Sequence, residues 1–591
     1  MPKPEWKKGT PIKYAVLVDT FSKIEATTKR LEILQHVTDL FVQVITHCRK
    51  DSVGAASENL LYTVYLCINR LCPDYEGLEL GIGEGLLVKA IAQSTGREVA
   101  RIKKDLEKQG DLGLVALASR KHQPTMFQAQ TLTVPSVFKQ LRDIALASGT
   151  KSQDKKLGII KRLLAACTGE ESKYLIRSLE GKLRIGLAEK TVLVAVAHAV
   201  ILTTLGDEAA AMDKEELAAK LEEGTNVVKA VFSELPSYNV LIPALLEHGV
   251  EGLRGRVKLT PGIPLKPMLA KPTKEIGEVL DRFESRTFTC EYKYDGERAQ
   301  VHGFRDDKGK LSIRVFSRNS EDMSMKYPDL VVQVPRCLGP EVTNFVIDAE
   351  AVAWQPLHVA QAERADATEG RLLPFQELSR RKRKDVKAED IKVFVKLFGF
   401  DLLYLNGEPL LHLELSQRRA RLFDHFVPVQ DEFDFATHRD CHTTEEIQSF
   451  LDESVAGGCE GLMVKMLDGS DATYEPSRRS INWLKLKKDY CRYTKLTPVS
   501  GTGDSLDLTV IGGYYGKGKR TNVYGAFLLA CCTSQAHPDD EDQETYQSIC
   551  KIGTGFSEAD LESHHNTLKE LEIAQKKGYY DIGDAKPDVC T

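Results

Sequence analysis

The first part of the chain carries apolar residues at the spacing of α-helices. One such run consists of Leu31, Leu34, Val37, Leu40, Phe41 and Val44. Residues at these intervals line one face of a helix, and Ser22 and Glu25 just before them have the spacing of a capping box. Similar patterns, separated by Gly and Pro, recur at residues 86–92, 138–147, 157–166 and 192–202. The pattern predicts an all-α domain over residues 1–262.

The pattern changes after a proline-punctuated linker at residues 261–272. Short alternating or continuous apolar runs follow, as in β-strands, at residues 287–294, 298–304, 313–319, 345–350, 396–404, 460–465 and 483–487. They predict an α+β domain over residues 263–489. Residues 490–591 contain further strand-like runs and a charged helix beginning at Ser557, which predict part of a small OB-like β-barrel. We therefore expect a multidomain protein with an incomplete barrel at its end.

Length and composition restrict the class of protein. A chain of 591 residues is long enough for about three or four domains. The formal net charge of -5 means that any nucleic-acid contact must come from local clusters of Lys and Arg. The 13 cysteines include no C-x-x-C pair and no zinc-finger spacing, which indicates reduced thiols in a cytosolic or nuclear protein. The longest apolar run, 192–205, is too short for a membrane span, and the N-terminus shows no signal or transit peptide.

A short stretch, Glu291 to Arg298, organises the second domain. Its two strand-like flanks are joined by Asp295 and Gly296, which predict a turn. Because side chains alternate along a strand, Glu291, Lys293 and Asp295 share one face. Taken alone, a lysine between two carboxylates would be read as an ordinary cross-strand ion pair.

Neighbouring runs carry further charged and aromatic side chains that a single cleft could collect. These residues are Arg318, Asp348, Glu350, Phe400, Glu460, Lys465, Lys485 and Lys487. Nearby cations would favour the neutral, nucleophilic form of Lys293. Glu350 and Glu460 are oxygen donors suited to Mg²⁺, and Phe400 could stack on a purine. Together these residue types fit covalent nucleotidyl transfer through a lysine–AMP or lysine–GMP intermediate, and the chain has no P-loop sequence.

A second basic segment lies in the helical region, at residues 177–186. Its glycines, which include Gly181, would let the backbone approach a partner closely. Arg177, Lys182 and Arg184 supply cations. The segment could equally be a solvated link between two helices, and its residues alone leave both interpretations open.

The ordered motifs resemble those of the ATP-dependent DNA ligases. They read K-Y-D-G-E-R (293–298), F-S-R-N (316–319), D-A-E-A-V-A-W (348–354), F-G-F-D-L-L-Y-L-N-G (398–407), E-G-L-M-V-K (460–465) and W-L-K-L-K-K-D-Y (483–490). Outside them, residues 177–189, 261–270 and 550–557 resemble the replicative type of the eukaryotic enzymes. The similarity extends over nearly the whole chain.

The resemblance implies roles for the residues of the cleft. Lys293 would be the adenylylated nucleophile, Glu291 would recognise the adenine, and Phe400 would pack on it. Arg298 would bind the nucleotide, and Glu350 would contact the ribose or the metal site. ATP and Mg²⁺ are the implied cofactors.

The remaining cleft residues are implied to act on phosphates and metal. Glu460 would help to hold the metal ion, and Lys465, Lys485 and Lys487 would engage the nucleotide phosphates. Arg318 would lie near the 5′ phosphate of a nick. The implied substrate is nicked duplex DNA, encircled by a helical DNA-binding domain, a nucleotidyltransferase domain and an OB-fold.

DNA contacts follow from the same resemblance. Arg177, Gly181, Lys182 and Arg184 would grip the DNA backbone or minor groove. A second basic run, Arg380, Arg381 and Lys382 with the two basic residues after them, could be a nuclear localisation signal, but a phosphate-contacting patch is favoured inside a catalytic domain. The family implies a monomer in the nucleus, without membrane attachment.

Three departures from the family pattern bear on the expected activity. The chain stops at Thr591, before the last basic motif that is expected to orient the leaving pyrophosphate. Residues 355–370 and 491–502 look like insertions of unassigned role. The N-terminal arm that carries the sliding-clamp signal in relatives is not seen.

Three functional hypotheses follow. The leading one is an ATP-dependent DNA ligase that seals 5′-phosphate/3′-hydroxyl nicks in replication, repair and recombination. The second is an RNA-capping guanylyltransferase or RNA ligase, which the large helical domain disfavours. The third is a nick-binding protein that cannot adenylylate itself, motivated by the missing terminal motif.

Overall fold

The computed structural model describes most of the chain, in two compact units. The first unit comprises residues 1–11, 29–79 and 188–498, and the second comprises residues 12–28, 80–187 and 499–591. The described residues are 9–48, 53–120, 131–273, 276–283, 286–306, 308–364, 366–382, 386, 391–487, 508–516, 520, 523–533 and 545–591. The helices predicted for the N-terminal region are therefore divided between the two units.

The N-terminal region is helical, as predicted. The helices of the first unit are α2 (Arg30–Cys48), α3 (Val53–Cys67), α10 (Glu189–Leu205), α11 (Glu208–Ala211), α12 (Lys214–Glu234), α13 (Tyr238–His248) and α14 (Leu253–Arg256). Those of the second unit are α1 (Tyr14–Glu25), α4 (Glu84–Thr95), α5 (Val99–Gln109), α6 (Leu112–Arg120), α7 (Val134–Leu146), α8 (Ser152–Ala166) and α9 (Glu171–Leu179). The apolar run at 192–205 forms α10, which packs against α2 and α12.

The capping box predicted at Ser22 and Glu25 is wrong. Both residues lie in the last turns of α1, where the Ser22 hydroxyl donates to the carbonyl of Val18. Glu25 instead faces α9 and receives hydrogen bonds from it. A Ser and a Glu three residues apart can occur at the end of a helix as well as at its start. These residue types alone therefore did not identify a helix start.

Two sheets make up the rest of the first unit. In the first sheet the order is β1 (Leu269–Thr273), β12 (Arg479–Lys487), β11 (Gly461–Met466), β2 (Phe288–Lys293) and β10 (His438–Arg439). In the second the order is β4 (Leu311–Phe316), β3 (Glu297–Arg305), β5 (Phe345–Gln355), β7 (Phe394–Leu405) and β8 (Glu408–Pro409), with β6 (Arg371–Leu372) beside β5 and β9 (Phe433–Phe435) beside β7. The accompanying helices are α15 (Ile276–Arg282), α16 (Pro328–Gln333), α17 (Leu357–Glu363), α18 (Phe375–Ser379), α19 (Leu415–His425) and α20 (Thr444–Ala456).

The turn at Asp295 and Gly296 leads from one sheet to the other. Strand β2 pairs with β10 and β11, whereas β3 pairs with β4 and β5. A Cβ on Gly296 would lie 2.5 Å from the carbonyl oxygen of Ala351, so only glycine lets the chain cross this close to β5. The predicted turn is therefore confirmed, and it joins the strand of Lys293 to a second sheet.

The C-terminal residues of the second unit form one mostly antiparallel sheet. Its order is β16 (Tyr580–Asp581), β15 (Thr545–Ile552), β14 (Tyr524–Thr533), β13 (Thr509–Tyr515) and β17 (Val589–Cys590), with helix α21 (Glu558–Lys569) against β14. Ile511, Leu528 and Ala530 are buried on one face of the sheet. Ser557 caps α21 through a capping box with Asp560. The strands form a half-barrel sheet. The second predicted insertion, residues 491–502, lies outside the described residues.

Of the helices that the structure describes, none is both long and apolar enough to cross a membrane. The described cysteines are free thiols, and most of them are buried. Residues 355–370, predicted to be an insertion, carry α17, whose first amide donates to Asp431.

Candidate functional site

Alternation along the strands separates an apolar face from a polar one in both sheets. In the first sheet Cys290, Leu462 and Leu484 pack with α15 and α20 in an apolar core. In the second, Val301 and Ile347 belong to another apolar core. The residues one position away on each strand therefore point to the opposite faces. Those faces carry the predicted site residues of both sheets.

Lys293 ends β2 beside a shared carboxylate. Its ammonium group pairs with Glu460, and the same oxygen of Glu460 lies 3.0 Å from the Nζ atom of Lys487. The backbone also joins the two segments, because the Glu460 amide donates to the Lys293 carbonyl at 2.9 Å. Burial alone would raise the pKa of Glu460, but its hydrogen bonds with Lys293 and Lys487 lower it. Glu460 is therefore a stable anion between two lysines.

Gly461 allows the strands that carry Lys293 and Lys487 to approach β11 closely. Its φ of +146° lies in the region that favours glycine, and an added Cβ would lie 2.2 Å from the carbonyl oxygen of Leu486. Gly461 is opposite Lys293 on one side and Lys487 on the other. The glycine after Glu460 thus allows three strands to meet at the lysine cluster.

A second charge pair lies deeper in the cleft. The Nζ atom of Lys465 is 2.5 Å from a carboxylate oxygen of Glu291, and both side chains are almost completely buried. The same Nζ atom lies 4.3 Å from the ring centre of Phe400 and 4.6 Å from that of Trp483. Glu291, Phe400 and Lys465 are therefore brought together, next to Trp483.

Arg298 is held by a network on the second sheet. Its Nη2 atom donates to Asp348 at 2.5 Å, and its Nη1 atom donates to the carbonyl of Met268 at 2.9 Å. The guanidinium carbon lies 5.3 Å from the ring centre of Phe400. Among the residues that the structure describes, the buried Nε atom of Arg298 has no hydrogen-bond partner. One donor of this arginine thus remains for a ligand in the cleft.

Glu350 neighbours the lysine cluster from β5. Burial raises the pKa of its carboxyl to about 7, against the opposing effect of Lys293 and Arg298 and with a further increase from Glu460. Two hard carboxylates, Glu350 and Glu460, fit the preference of Mg²⁺ for one or two carboxylates together with phosphate oxygens. In the described part of the chain no cluster of three or more His, Cys, Asp or Glu side chains could hold a metal by itself.

Lys485 and Arg318 belong to the cationic side of the cleft. Burial lowers the pKa of Lys485, and the charges of Lys487, Lys293, Arg479 and Arg318 lower it further. Arg318 is exposed in a turn that the hydroxyl of the preceding serine organises. A group of cations around one cleft is suited to a polyphosphate or a nucleic-acid phosphate.

Two residues of the network were missed by sequence reasoning. Asp348 was seen as a strand neighbour of Glu350 but was given no role, and Tyr474 was not singled out. Asp348 has no exposed surface, and the hydroxyl of Tyr474 donates to it at 2.6 Å. Tyr474 follows a short turn outside the strands, so no periodic pattern marked it.

Arg177 does not present a cation to solvent, which corrects its predicted DNA contact. Its side chain is 4% exposed, its Nη2 atom is 2.7 Å from Asp111, and its Nη1 atom is 3.0 Å from Glu25. Nη1 also lies 3.3 Å from the carbonyl of Leu183. Arg177 therefore anchors the basic segment from inside the helical region, because its donors are directed at the buried Asp111, the half-buried Glu25 and the segment's own backbone.

The other residues of the segment are more accessible. Gly181 and Lys182 are exposed, and Gly181 has a φ of +82° that favours glycine. Arg184 is half-buried, also has a positive φ, and donates to the carbonyl of Gly110 at 3.3 Å. Lys182 is thus the cation of the segment that the fold leaves open to a partner.

The contacts between Arg177 and Glu25 predict how the stability of the fold changes at acidic pH. Burial alone would raise the pKa of Glu25, but hydrogen bonds from Arg177, Tyr174 and Lys173 lower it from 4.5 to about 2. A lowered folded-state pKa means stability that is present above the unfolded pKa and lost as the pH falls toward about 2. Glu25→Gln should therefore cost about 3 kcal/mol at neutral pH and make unfolding less sensitive to pH between these two values. Thermal denaturation across that pH range tests this, and an unchanged pH profile would contradict it.

The basic run at 380–382 is only partly a surface patch. Arg380 and Lys382 are exposed, as predicted. Arg381 is buried, its Nη2 atom donates to Asp329 at 2.6 Å, and its guanidinium lies 5.0 Å from the ring centre of Tyr327. The predicted surface phosphate contact of Arg381 is therefore corrected, because α16 supplies an acidic partner that the sequence run does not show. Residues 383 and 384 lie outside the described residues.

Comparison with known proteins agrees with this arrangement. Three family descriptions match successive parts of the chain. They are the DNA ligase N terminus at residues 13–197, the ATP dependent DNA ligase domain at residues 267–487 and the ATP dependent DNA ligase C terminal region at residues 520–588. The middle match contains the whole cleft, from Met268 to Lys487.

Curated relatives match over nearly the full length. DNA ligase 1 of Schizosaccharomyces pombe is 52% identical over 98% of this chain and 70% of its own. DNA ligase 1 of Saccharomyces cerevisiae is 47% identical, over 98% and 72%. DNA ligase 1 of Drosophila melanogaster is 45% identical, over 97% and 71%. The cleft therefore lies in an ATP-dependent ligase domain. The chain belongs to the ATP-dependent DNA ligases, and among them it is similar to the DNA ligase 1 enzymes of eukaryotes.

Proposed function

We propose that this ATP-dependent DNA ligase seals 5′-phosphate/3′-hydroxyl nicks in duplex DNA through an AMP adduct on Lys293. The observation that carries the proposal is the ion pair of Lys293 with Glu460, which also pairs with Lys487 of β12, in a cleft that also contains Glu291 and Arg298. Three nucleotidyl transfers follow. AMP passes from ATP to Lys293, then to the 5′ phosphate, and the 3′ hydroxyl finally displaces it.

In the first step the amine of Lys293 attacks the α-phosphate of ATP. A phosphorus–nitrogen bond forms, the bond to pyrophosphate breaks, and Lys293 gives up a proton. Glu460, already paired with Lys293, is placed to hold the amine before attack. Lys485 and Lys487 offset the charge on the leaving phosphates. Catalysis here depends on positioning and charge more than on covalent chemistry by other side chains.

The nucleotide is bound by the deeper part of the cleft. Glu291 recognises the adenine, Phe400 packs on it, and Lys465 engages the nucleotide phosphates. Arg298 offers its remaining Nε donor to the nucleotide, and Glu350 contacts the ribose or the metal. Glu350 and Glu460 would hold Mg²⁺, which supplies further neutralisation of phosphate charge when it is bound.

Basic residues of several segments bind the nicked DNA. Gly181, Lys182 and Arg184 contact the DNA backbone or minor groove, Arg318 lies near the 5′ phosphate, and Arg380 and Lys382 add phosphate contacts. The domains extend over residues 1–262, 263–489 and 490–591, with the last a partial OB-fold. The protein acts as a monomer in the nucleus, and a sliding clamp is the partner expected for the family.

A sealing assay tests the proposal. The chain is incubated with Mg²⁺, a duplex that carries one 5′-phosphorylated nick, and either ATP or GTP. We expect a continuous strand with ATP alone, and none on the matched duplex whose nick lacks the 5′ phosphate. A covalent adduct from GTP would instead indicate a capping-type enzyme. Sealing confined to a pre-adenylylated nick would indicate a nick-binding protein impaired in self-adenylylation.

A further inference from the structure

The hydroxyl of Tyr474 lies at the centre of a buried hydrogen-bond network behind Arg298. It donates to Asp348 at 2.6 Å, accepts from the Met268 amide at 3.0 Å and accepts from the Nη2 atom of Arg298 at 3.2 Å. One donor and two acceptors are the full capacity of a hydroxyl. Tyr474 is 3% exposed, so water does not readily substitute for any of these bonds.

Asp348 is the buried acceptor at the other side of this network. It has no exposed surface, and its oxygens accept from Arg298, Tyr474 and the side-chain amide of Gln300. A buried carboxylate that loses one donor becomes less effective at holding its arginine. The hydroxyl of Tyr474 therefore contributes to the orientation of Arg298 both directly and through Asp348.

Buried contacts also hold the loop that carries Tyr474. Arg418 and Asp401 form a fully buried ion pair, and Arg418 donates to the carbonyl of Ala472 at 3.2 Å. The amide of Tyr474 donates to the carbonyl of Leu411 at 2.9 Å. The ring packs edge-on against Trp483, with the ring centres 5.9 Å apart. These contacts hold the hydroxyl in one place.

The network determines which hydrogen-bond donors of Arg298 are occupied. Both terminal nitrogens are directed into the network, toward Met268, Asp348 and Tyr474, while the buried Nε atom has no partner among the described residues. We propose that Tyr474 is a positioning residue for nucleotide transfer, whose hydroxyl fixes Arg298 in the orientation that engages ATP. This inference rests on the proposed nucleotide-binding role of Arg298.

The first measurement is the rate of AMP attachment to Lys293 against ATP concentration, for the full chain and for Tyr474→Phe. Loss of the hydroxyl, with its three buried hydrogen bonds, should raise KM for ATP at least about tenfold, with kcat at saturating ATP changed by less than about threefold. Tyr404→Phe removes the same atom from the same apolar cluster, where the hydroxyl has no hydrogen bond to the described residues. It should behave as the unmodified chain.

A double-mutant cycle separates positioning from general loss of structure. If Tyr474 acts through Arg298, Tyr474→Phe should have no further effect on KM in an Arg298→Lys background. An equal effect in both backgrounds, an unchanged KM, or an equal effect of Tyr404→Phe would overturn the inference. Absence of any AMP adduct on the unmodified chain would instead refute the proposed function, so the two failures are distinguishable.

Discussion

Replacement of Lys293 by arginine is expected to eliminate the covalent AMP label. Arginine keeps the positive charge and can still pair with Glu460, which Lys293 contacts in this structure. Its guanidinium stays protonated in proteins and so has no free electron pair for attack on phosphorus. Loss of a nucleophile reduces such a step by at least about 10⁴-fold. The measurement is incorporation of α-labelled ATP into the chain in the presence of Mg²⁺.

The arginine variant also supplies its own control. Sealing of a pre-adenylylated nick requires the folded cleft and DNA binding, but not AMP transfer to Lys293. We expect Lys293→Arg to retain this reaction while losing the label. A label that persists in the variant would move the nucleophile to another residue. If the unmodified chain carries no label but seals the pre-adenylylated nick, the chain is impaired in self-adenylylation.

Much of the cleft could be predicted from the sequence, because period-two alternation decides which side chains share a face. Glu291 and Lys293 on β2, and Lys485 and Lys487 on β12, lie where that rule places them. The alternation held because the other face of the first sheet must cover an apolar core with α15 and α20. The structure adds the pairing across strands, such as Glu460 between Lys293 and Lys487.

Contacts between distant segments could not be predicted in this way. Arg177 and Arg381 were interpreted as surface cations because each stands in a basic stretch. Their partners, Asp111 and Asp329, are 66 and 52 residues away in the chain. A buried arginine paired with carboxylates has the same local sequence as an exposed one. Tyr474 was missed for the related reason that its three hydrogen-bond partners come from three other segments.

The second large effect is expected at Arg177. Its removal in Arg177→Ala would leave Asp111, which is 2% exposed, and Glu25 without their shared cation. Breaking a buried ion pair by removal of one partner costs about 3–5 kcal/mol. The carbonyl of Leu183 would also lose a donor. We therefore expect a lower melting temperature for Arg177→Ala, and weaker binding of nicked DNA that follows from a displaced segment.

Lys182→Ala is the matched control, because Lys182 is an exposed cation of the same segment. It should leave the melting temperature within about 1 °C of the unmodified chain, since surface charges contribute little to stability. Its effect should fall on DNA affinity, with a salt dependence of binding reduced by about one charge. Thermal denaturation and titration of a nicked duplex at several salt concentrations measure both properties. The opposite result would be an unchanged melting temperature for Arg177→Ala, with a salt dependence of DNA binding reduced by about one charge. Arg177 would then contact DNA, and Glu25 and Asp111 would have to hold the segment without it.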